Sequence, residues 1–227
     1  MRRLAEKWFE AVPKSEPKEP IVPRPVLLKE EKRLLLEDEV QLPRLYVAWV
    51  TPPAFAPADA PLDAAAAVLA SGKNSRLYKR LVYELQVAQD VSAVQASNAL
   101  ASTFTIEVTA RAGHGLPEIL RLVDEELSRL QSEPPTEREV TRFQNQSEAA
   151  FLDRLERVGG FGGKADQLNA YYFRTGNPDY FEEDLARYRS LEPSDVQAAA
   201  RLLGAGRVLV SVVPTGKKDL AVAEVAR

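Results

Sequence analysis

Cysteine is absent from the 227-residue sequence, and histidine occurs once, as His114. Zinc and other transition metals are bound in proteins mainly by these two residue types. Histidine is also the side chain that most readily exchanges a proton near neutral pH. The chain therefore cannot assemble a histidine-rich zinc site by itself. Without cysteine there is also no disulfide or free thiol to indicate the redox compartment.

An excess of positive charge and a long apolar run are also missing. The chain has 30 Lys and Arg against 33 Asp and Glu, a formal net charge of -3, which argues against a nucleic-acid partner. The longest nearly apolar stretch, Ala64–Ala70, is far shorter than the roughly 20 residues of a membrane span. Glu6 and Lys7 interrupt any secretory core at the N-terminus. We expect a soluble chain, periplasmic or cytoplasmic, without signal peptide or membrane span.

What is present is the composition of a folded domain, with 45% hydrophobic and 28% charged residues. Proline is concentrated early, and five prolines between Pro13 and Pro25 predict an extended linker, because proline disfavours helix in itself and in the preceding residue. Before this linker, Leu4, Trp8 and Phe9 recur at helical spacing. This short helix either packs back on the domain or is the end of a preceding unit. We place the junction at 1–26, the domain at 27–216 and a tail at 217–227.

The hydrophobic pattern predicts the order strand, strand, helix, helix, strand, strand, a run of helices, and strand. Alternation with a period of two marks 87–95 and 103–110 as a hairpin around Ser97–Ala99. Steps of three and four residues mark helices, and Thr136–Glu139 and Ser194–Gln197 have the pattern of capping boxes. Strands in hairpin pairs favour an α+β fold, an antiparallel sheet with helices packed on one face.

Short motifs of possible chemical importance have simpler interpretations. Ser71–Ser75 lacks the first glycine and the Ser or Thr after Lys73 that a phosphate loop requires, so we interpret it as a helix cap. Gly159–Gly163 lacks a preceding strand and is interpreted as a break between helices. His114, between two glycines, is interpreted as a solvated loop residue. The carboxylates lie on predicted exposed helix faces, and we assign no acid-base pair, no catalytic residue and no metal ligand.

Several segments together carry a family resemblance. They are Leu42–Pro53, Gly72–Glu84, Val87–Ala93, Thr136–Glu139, Gly176–Pro178 and the strand that ends at Pro214. Their order and spacing resemble the second repeat of the pitrilysin/insulinase family, zinc metallopeptidases that include the mitochondrial processing peptidase. The match covers nearly the whole chain.

This resemblance implies a mitochondrial-processing-peptidase-like domain, half of a clamshell that encloses an unfolded peptide. The family's zinc site is the inverted motif HxxEH with a distant glutamate, and this chain lacks it. The resemblance therefore implies the non-catalytic half, with no cofactor of its own and with zinc in a partner half, either in the same parent chain or in a separate subunit.

Many second halves of the family also place an Arg and a Tyr against the scissile peptide. At the matching positions this chain has Val82 and Gln89. The residues that remain as candidates for substrate binding are Arg76, Arg80, Tyr83 and Gln89.

Two other functions stay open. The same fold also serves as a structural core subunit without proteolytic role, and a free-standing enzyme that uses His114 is the third hypothesis. An HxxEH motif encoded upstream or in a neighbouring gene distinguishes the peptidase hypothesis from the structural one.

Overall fold

A computed structural model of the chain describes residues 2–13, 15, 16, 19 and 28–222. The predicted α+β class is confirmed, because the described residues form one five-stranded sheet with helices packed against it. The strands are β1 (Lys32–Asp38), β2 (Arg44–Thr51), β3 (Ala88–Ala96), β4 (Ser102–Ala110) and β5 (Val208–Pro214). The α-helices are α1 (Arg2–Phe9), α2 (Asp59–Ala70), α3 (Leu116–Ser132), α4 (Glu137–Glu156), α5 (Lys164–Thr175), α6 (Phe181–Arg189) and α7 (Pro193–Ala200). A π-helix (Tyr78–Glu84) and a 3₁₀ turn (Lys218–Leu220) complete these elements.

The sheet order is β1-β5-β2-β4-β3, which differs in one respect from the expected antiparallel hairpins. β3 and β4 form the predicted hairpin, whereas β5 lies between β1 and β2 and pairs in parallel with β1. The short connection at 39–43 therefore crosses over β5 instead of making a tight turn. It can do so because two strand spacings are only about 10 Å. Because β1 and β2 are adjacent in sequence, we expected them to pair as a hairpin, but β5 lies between them.

One face of the sheet carries the hydrophobic core. Alternate residues of the central strand β2, Leu45, Val47 and Trp49, are buried there. Trp49 packs edge-on against Phe104 of β4 and donates its indole N–H to the carbonyl oxygen of Gly204, 2.8 Å away. Helices α2 and α3 pack on this face, α7 packs against α2 and α3, and α4 and α6 pack against α2. The predicted one-sided arrangement of helices is thus confirmed.

Helix boundaries follow the local signals in most places. Thr136 caps α4 by the predicted capping box, in which its hydroxyl accepts from the Glu139 amide and Glu139 accepts from the Thr136 amide. α7 differs, since it begins at Pro193, one residue before the predicted cap, and Asp195 accepts from the Glu192 amide at 2.9 Å. Proline suits the first helical position because its missing N–H is not needed there.

The glycine cluster separates α4 from α5, as predicted. Gly160 and Gly162 have φ values of 80° and 77°, which glycine adopts at little cost. A Cβ on Gly163 would lie 2.6 Å from the carbonyl oxygen of Gly159, so the turn also needs a residue without side chain there.

The ends of the chain bear on the predicted boundaries. Every described residue of α1 is exposed, so the hypothesis that this helix packs back on the domain is not met. Most of the predicted linker lies outside the described residues. In the predicted tail, Ala221 and Val222 are buried in the core, and the Val222 amide donates to Ser211 Oγ at 3.2 Å.

Candidate functional site

The second face of the sheet has no helix against it among the described residues. Its apolar part lies on β1, β5 and β2, where Leu34 faces Val210 and Val210 faces Tyr46 across the strands. Leu34 and Leu36 are each 54% exposed. Facing residues on neighbouring strands are about 5 Å apart, so these side chains form one continuous surface, which we call the open face.

The open face becomes polar toward β4 and β3. Arg44 of β2 is at the centre of this part. It donates from Nε to Thr109 Oγ1 at 3.2 Å and from Nη1 to the Tyr46 hydroxyl at 3.3 Å, and it pairs with Glu107 at 3.1 Å. The open face thus offers apolar contacts on one side and hydrogen-bonding groups on the other.

The segment between α2 and β3 has an irregular backbone at three successive places. Residues Tyr78–Glu84 form a π-helix, closed by a hydrogen bond from the Leu85 amide to the Arg80 carbonyl oxygen at 2.9 Å. Gln86 has a φ of 55°, and the register of β3 shifts between Ala88 and Asp90. π-Turns, positive φ values at residues other than glycine, and bulges have an energetic cost. They are retained mainly where function requires them, and they are therefore frequent at functional sites. This segment is therefore a candidate site on local geometry alone.

Two of the four predicted substrate-binding residues are accessible in this segment. The Tyr83 side chain on the π-helix is 75% exposed, and Gln89 lies exposed at the register shift of β3. Val82, which stands where the family has arginine, packs against the core. Tyr83 and Gln89 are thus positioned to contact another molecule.

The other two predicted residues, Arg76 and Arg80, point toward the helical layer. Arg76 makes a bidentate pair with Glu139 of α4, with distances of 2.8 and 3.0 Å. Arg80 donates to Glu126 of α3 at 2.6 Å and also to Glu125. The sequence could not indicate these pairs, because the partners are 45 to 63 residues away.

The Arg76–Glu139 pair changes the protonation of its carboxyl group. Burial alone raises the pKa of Glu139, but the hydrogen bonds from Arg76 and from the Thr136 amide outweigh it and lower the pKa from 4.5 to about 2. Glu139 therefore stays ionised, and it holds both the start of α4 and the segment that leads into the π-helix.

A second carboxyl cluster, which we did not predict, lies at the start of α2. Arg187 of α6 donates to Asp184 at 2.8 Å and to Asp59 at 3.2 Å. Tyr188 donates its hydroxyl to Asp63 Oδ2 at 2.7 Å. Asp59 and Asp63 interrupt an otherwise apolar and alanine-rich helix, and this pattern is the sequence signal that could have identified them.

Zinc, which the family resemblance implies for the whole enzyme, does not fit the residues of this chain. Nδ1 of His114, the only histidine of the sequence, lies 3.0 Å from Oε2 of Glu118 in the first turn of α3. The described residues contain no group of three or more His, Asp or Glu side chains suited to a metal. We therefore assign no step to a metal within this chain.

The fold is shared with several solved structures. Superposition on a protease from Helicobacter pylori gives a TM-score of 0.78 at 18% identity, over 94% of this chain and 51% of that chain. A peptidase M16 inactive domain from Pseudomonas fluorescens gives 0.73 at 19% identity, over 88% and 47%. The ferredoxin protease FusC, in a mutant complex with Arabidopsis ferredoxin, gives 0.69 at 17% identity, over 93% and 23%.

The family follows from the sequence. Residues 1–147 match the model of the peptidase M16 inactive domain, and the chain belongs to this family. No curated protein sequence matches the chain. The chain spans about half the length of the H. pylori and P. fluorescens chains that it resembles. None of the helices in the described residues is both long and apolar enough to cross a membrane.

Proposed function

We propose that this chain is the non-catalytic half of a zinc metalloendopeptidase, and that its open face forms one wall of a peptide-binding chamber. The observation that carries the proposal is the uncovered apolar surface of Leu34, Leu36, Val210 and Tyr46. A folded domain gains nothing in stability from leucines kept in water, and contiguous exposed apolar patches mark interaction sites. An extended peptide with apolar side chains can cover this patch and remove it from water.

A partner half is part of the proposal. The catalytic zinc would be held by an HxxEH motif in that half, because this chain has a single histidine. Resemblance to about half of each of two longer chains supports a second unit of similar size. Two concave halves can surround a peptide, exclude water and fix its register, which a single open sheet cannot do.

Within the chamber, we propose that Tyr83 and Gln89 contact the peptide. Both are exposed on the irregular segment, and their side chains can pack on or hydrogen-bond to an extended backbone. Arg76 and Arg80 remain candidates that would have to leave their carboxylate partners to reach a peptide. We therefore expect them to act indirectly, by holding the π-helix in place.

The domain boundaries belong to the same proposal. Residues 27–216, with Ala221 and Val222 packed into the same core, would form the chamber half, and 1–26 would form the junction with the zinc-bearing half. The exposed apolar residues Leu4, Trp8 and Phe9 of α1 suit a helix that packs on a neighbouring unit.

The experiment that tests this function combines the full chain with the zinc-bearing half encoded upstream or in a neighbouring gene. We expect neither part alone to cleave an unfolded peptide and the mixture to cleave it. Association without cleavage would instead favour the structural subunit. Cleavage by this chain alone would contradict the proposal.

A matched pair of variants tests the open face itself. Leu36 and Leu202 are exposed to nearly the same extent, 54% and 51%, but Leu36 is on the open face and Leu202 follows α7. We expect Leu36→Glu to raise the KM of the mixture severalfold, because the charge loses hydration against bound peptide. Leu202→Glu should have no effect. Equal effects of both variants would exclude the open face as the chamber wall.

A further inference from the structure

A cavity of about 310 Å³ lies between α2, α4 and the outer edge of β3. Ala67, Phe143 and Phe151 supply apolar walls, and Asp63 and Tyr188 supply polar groups. This volume is at the lower end of the range for small-ligand sites, roughly 300 to 1,000 Å³. The cavity can therefore hold one side chain or a molecule of similar size.

Asp63 carries the chemistry of this cavity. Burial raises the pKa of its carboxyl group to about 7, and the charge of Asp59 adds to this effect against the hydrogen bond from Tyr188. The other charged groups around it are Asp184 and Arg187 of α6 and Arg154 of α4. The cluster thus contains three carboxyl groups and two guanidinium groups. When Asp63 is ionised together with the other two carboxyl groups, the net charge of the cluster is about -1.

The edge of β3 gives the cavity its access. Residues 93–95 of β3 line it, and in the described part of the chain β3 pairs with β4 alone. An extended peptide can therefore add to the outer edge of β3 by backbone hydrogen bonds, with alternate side chains directed toward the helices.

We propose that this cavity binds a primary ammonium group on an apolar stem, specifically the lysine side chain of a peptide that lies along β3. The apolar walls suit the methylene groups of lysine, and the Asp63 carboxylate pairs with the ammonium group. The same chemistry is offered by a free alkylamine, and the experiment separates these two sources.

The inference deepens the proposed function and rests on it, since the lysine would belong to the peptide enclosed by the two halves. It names the substrate class as peptides with lysine at one defined position. Its test uses this chain without the zinc-bearing half, so that it can fail while cleavage by the combined halves succeeds.

The experiment measures binding of the acetylated and amidated peptide Ala-Val-Lys-Val-Ala to the full chain by calorimetry. The control peptide has norleucine in place of lysine, and n-butylammonium represents the free amine. We expect the lysine peptide to bind at least tenfold more tightly than the norleucine peptide. Binding of n-butylammonium alone would identify a free amine as the source, whereas equal binding of both peptides, or no binding of any probe, would overturn the proposal.

Two variants locate the site. Asp63→Asn removes the charge but keeps an acceptor for Tyr188, and Ala150→Trp fills the cavity from an exposed position of α4. Both should abolish the preference for lysine. Asp219→Asn removes an equal charge at an exposed position of the 3₁₀ turn and should leave the preference intact. Retention of the preference in both cavity variants would contradict the site.

The pH dependence gives a readout that general loss of structure does not reproduce. Lysine is charged at both pH 6 and pH 8, whereas Asp63 must lose its proton to pair with it. Binding should therefore be roughly tenfold tighter at pH 8 than at pH 6. In Asp63→Asn this difference should vanish. A pH-independent affinity of the unaltered chain would exclude Asp63 as the partner of the ammonium group.

Discussion

The two faces of the sheet use similar residues for different purposes. On the covered face, Trp49 and Phe104 are shielded by helices, and the indole N–H of Trp49 donates to the carbonyl oxygen of Gly204. On the open face, Leu34 and Leu36 of β1 are exposed to solvent, although β1 pairs with β5 in the same sheet. Apolar residues on the first face stabilise the fold, and those on the second are available for another molecule. Hydrophobicity alone therefore does not reveal the role of a strand residue.

The largest expected difference between the faces is in stability. Trp49→Ala removes a buried ring and leaves the Gly204 carbonyl without its donor, so we expect a loss of about 3–5 kcal/mol in the free energy of unfolding. Leu36→Ala should change it by less than about 0.5 kcal/mol. Urea unfolding followed by circular dichroism measures both. Comparable losses would show that the open face is covered in solution.

A smaller loss is expected from the ion pair at the rim of the covered face. Glu139→Gln should cost about 2 kcal/mol at pH 7, because Arg76 loses a partner in a pair whose side chains are only 17% and 18% exposed. Since folding lowers the pKa of Glu139 from 4.5 to about 2, its contribution is present above pH 4.5 and is lost as the pH falls toward 2. Chemical unfolding at several pH values tests this. Glu148→Gln, in an exposed pair with Arg189, is the control without measurable effect.

The contribution of Asp63 to stability should depend on pH in the opposite direction to that of Glu139. Because folding raises its pKa from 3.8 to about 7, the unfolded chain loses this proton first, and stability falls as the pH rises between these values. Asp63→Asn removes this penalty and should stabilise the fold by about 1–2 kcal/mol at pH 8. The gain should shrink toward zero near pH 4. Thermal unfolding across this range measures it, and a destabilised variant at pH 8 would contradict the expected sign.

The smallest effect on stability is expected at the irregular segment. Tyr83→Ala removes an exposed side chain, so the free energy of unfolding should stay within about 0.5 kcal/mol. If Tyr83 packs against the peptide, the KM of the combined halves should rise severalfold while stability is unchanged. Arg138→Ala, an exposed change at the start of α4, is the control. An unchanged KM in Tyr83→Ala would remove this residue from the substrate contacts.

Features that depend on local chemistry could be predicted from the sequence. The Thr136–Glu139 capping box, the β3–β4 hairpin and the break at Gly159–Gly163 all follow from residues within a few positions of each other. Features set by distant residues could not. β5 separates β1 from β2, Arg76 and Arg80 meet carboxylates on other helices, and Asp63 meets Tyr188 across 125 positions. Tyr83 and Gln89 were identified only through the family resemblance, and their exposure is a property of the folded chain.

The parallel pairing of β1 with β5 makes the sheet depend on contacts between the two ends of the domain. Arg207, next to β5, bonds to Glu31, next to β1, across 176 positions of sequence. Contacts between residues so far apart in sequence form slowly, because the long intervening loop must be closed first. During synthesis, β1 and the facing edge of β2 cannot pair until β5 has left the ribosome. A chain shortened before Val208 would keep both edges unpaired, and we expect it to aggregate on the ribosome or soon after release.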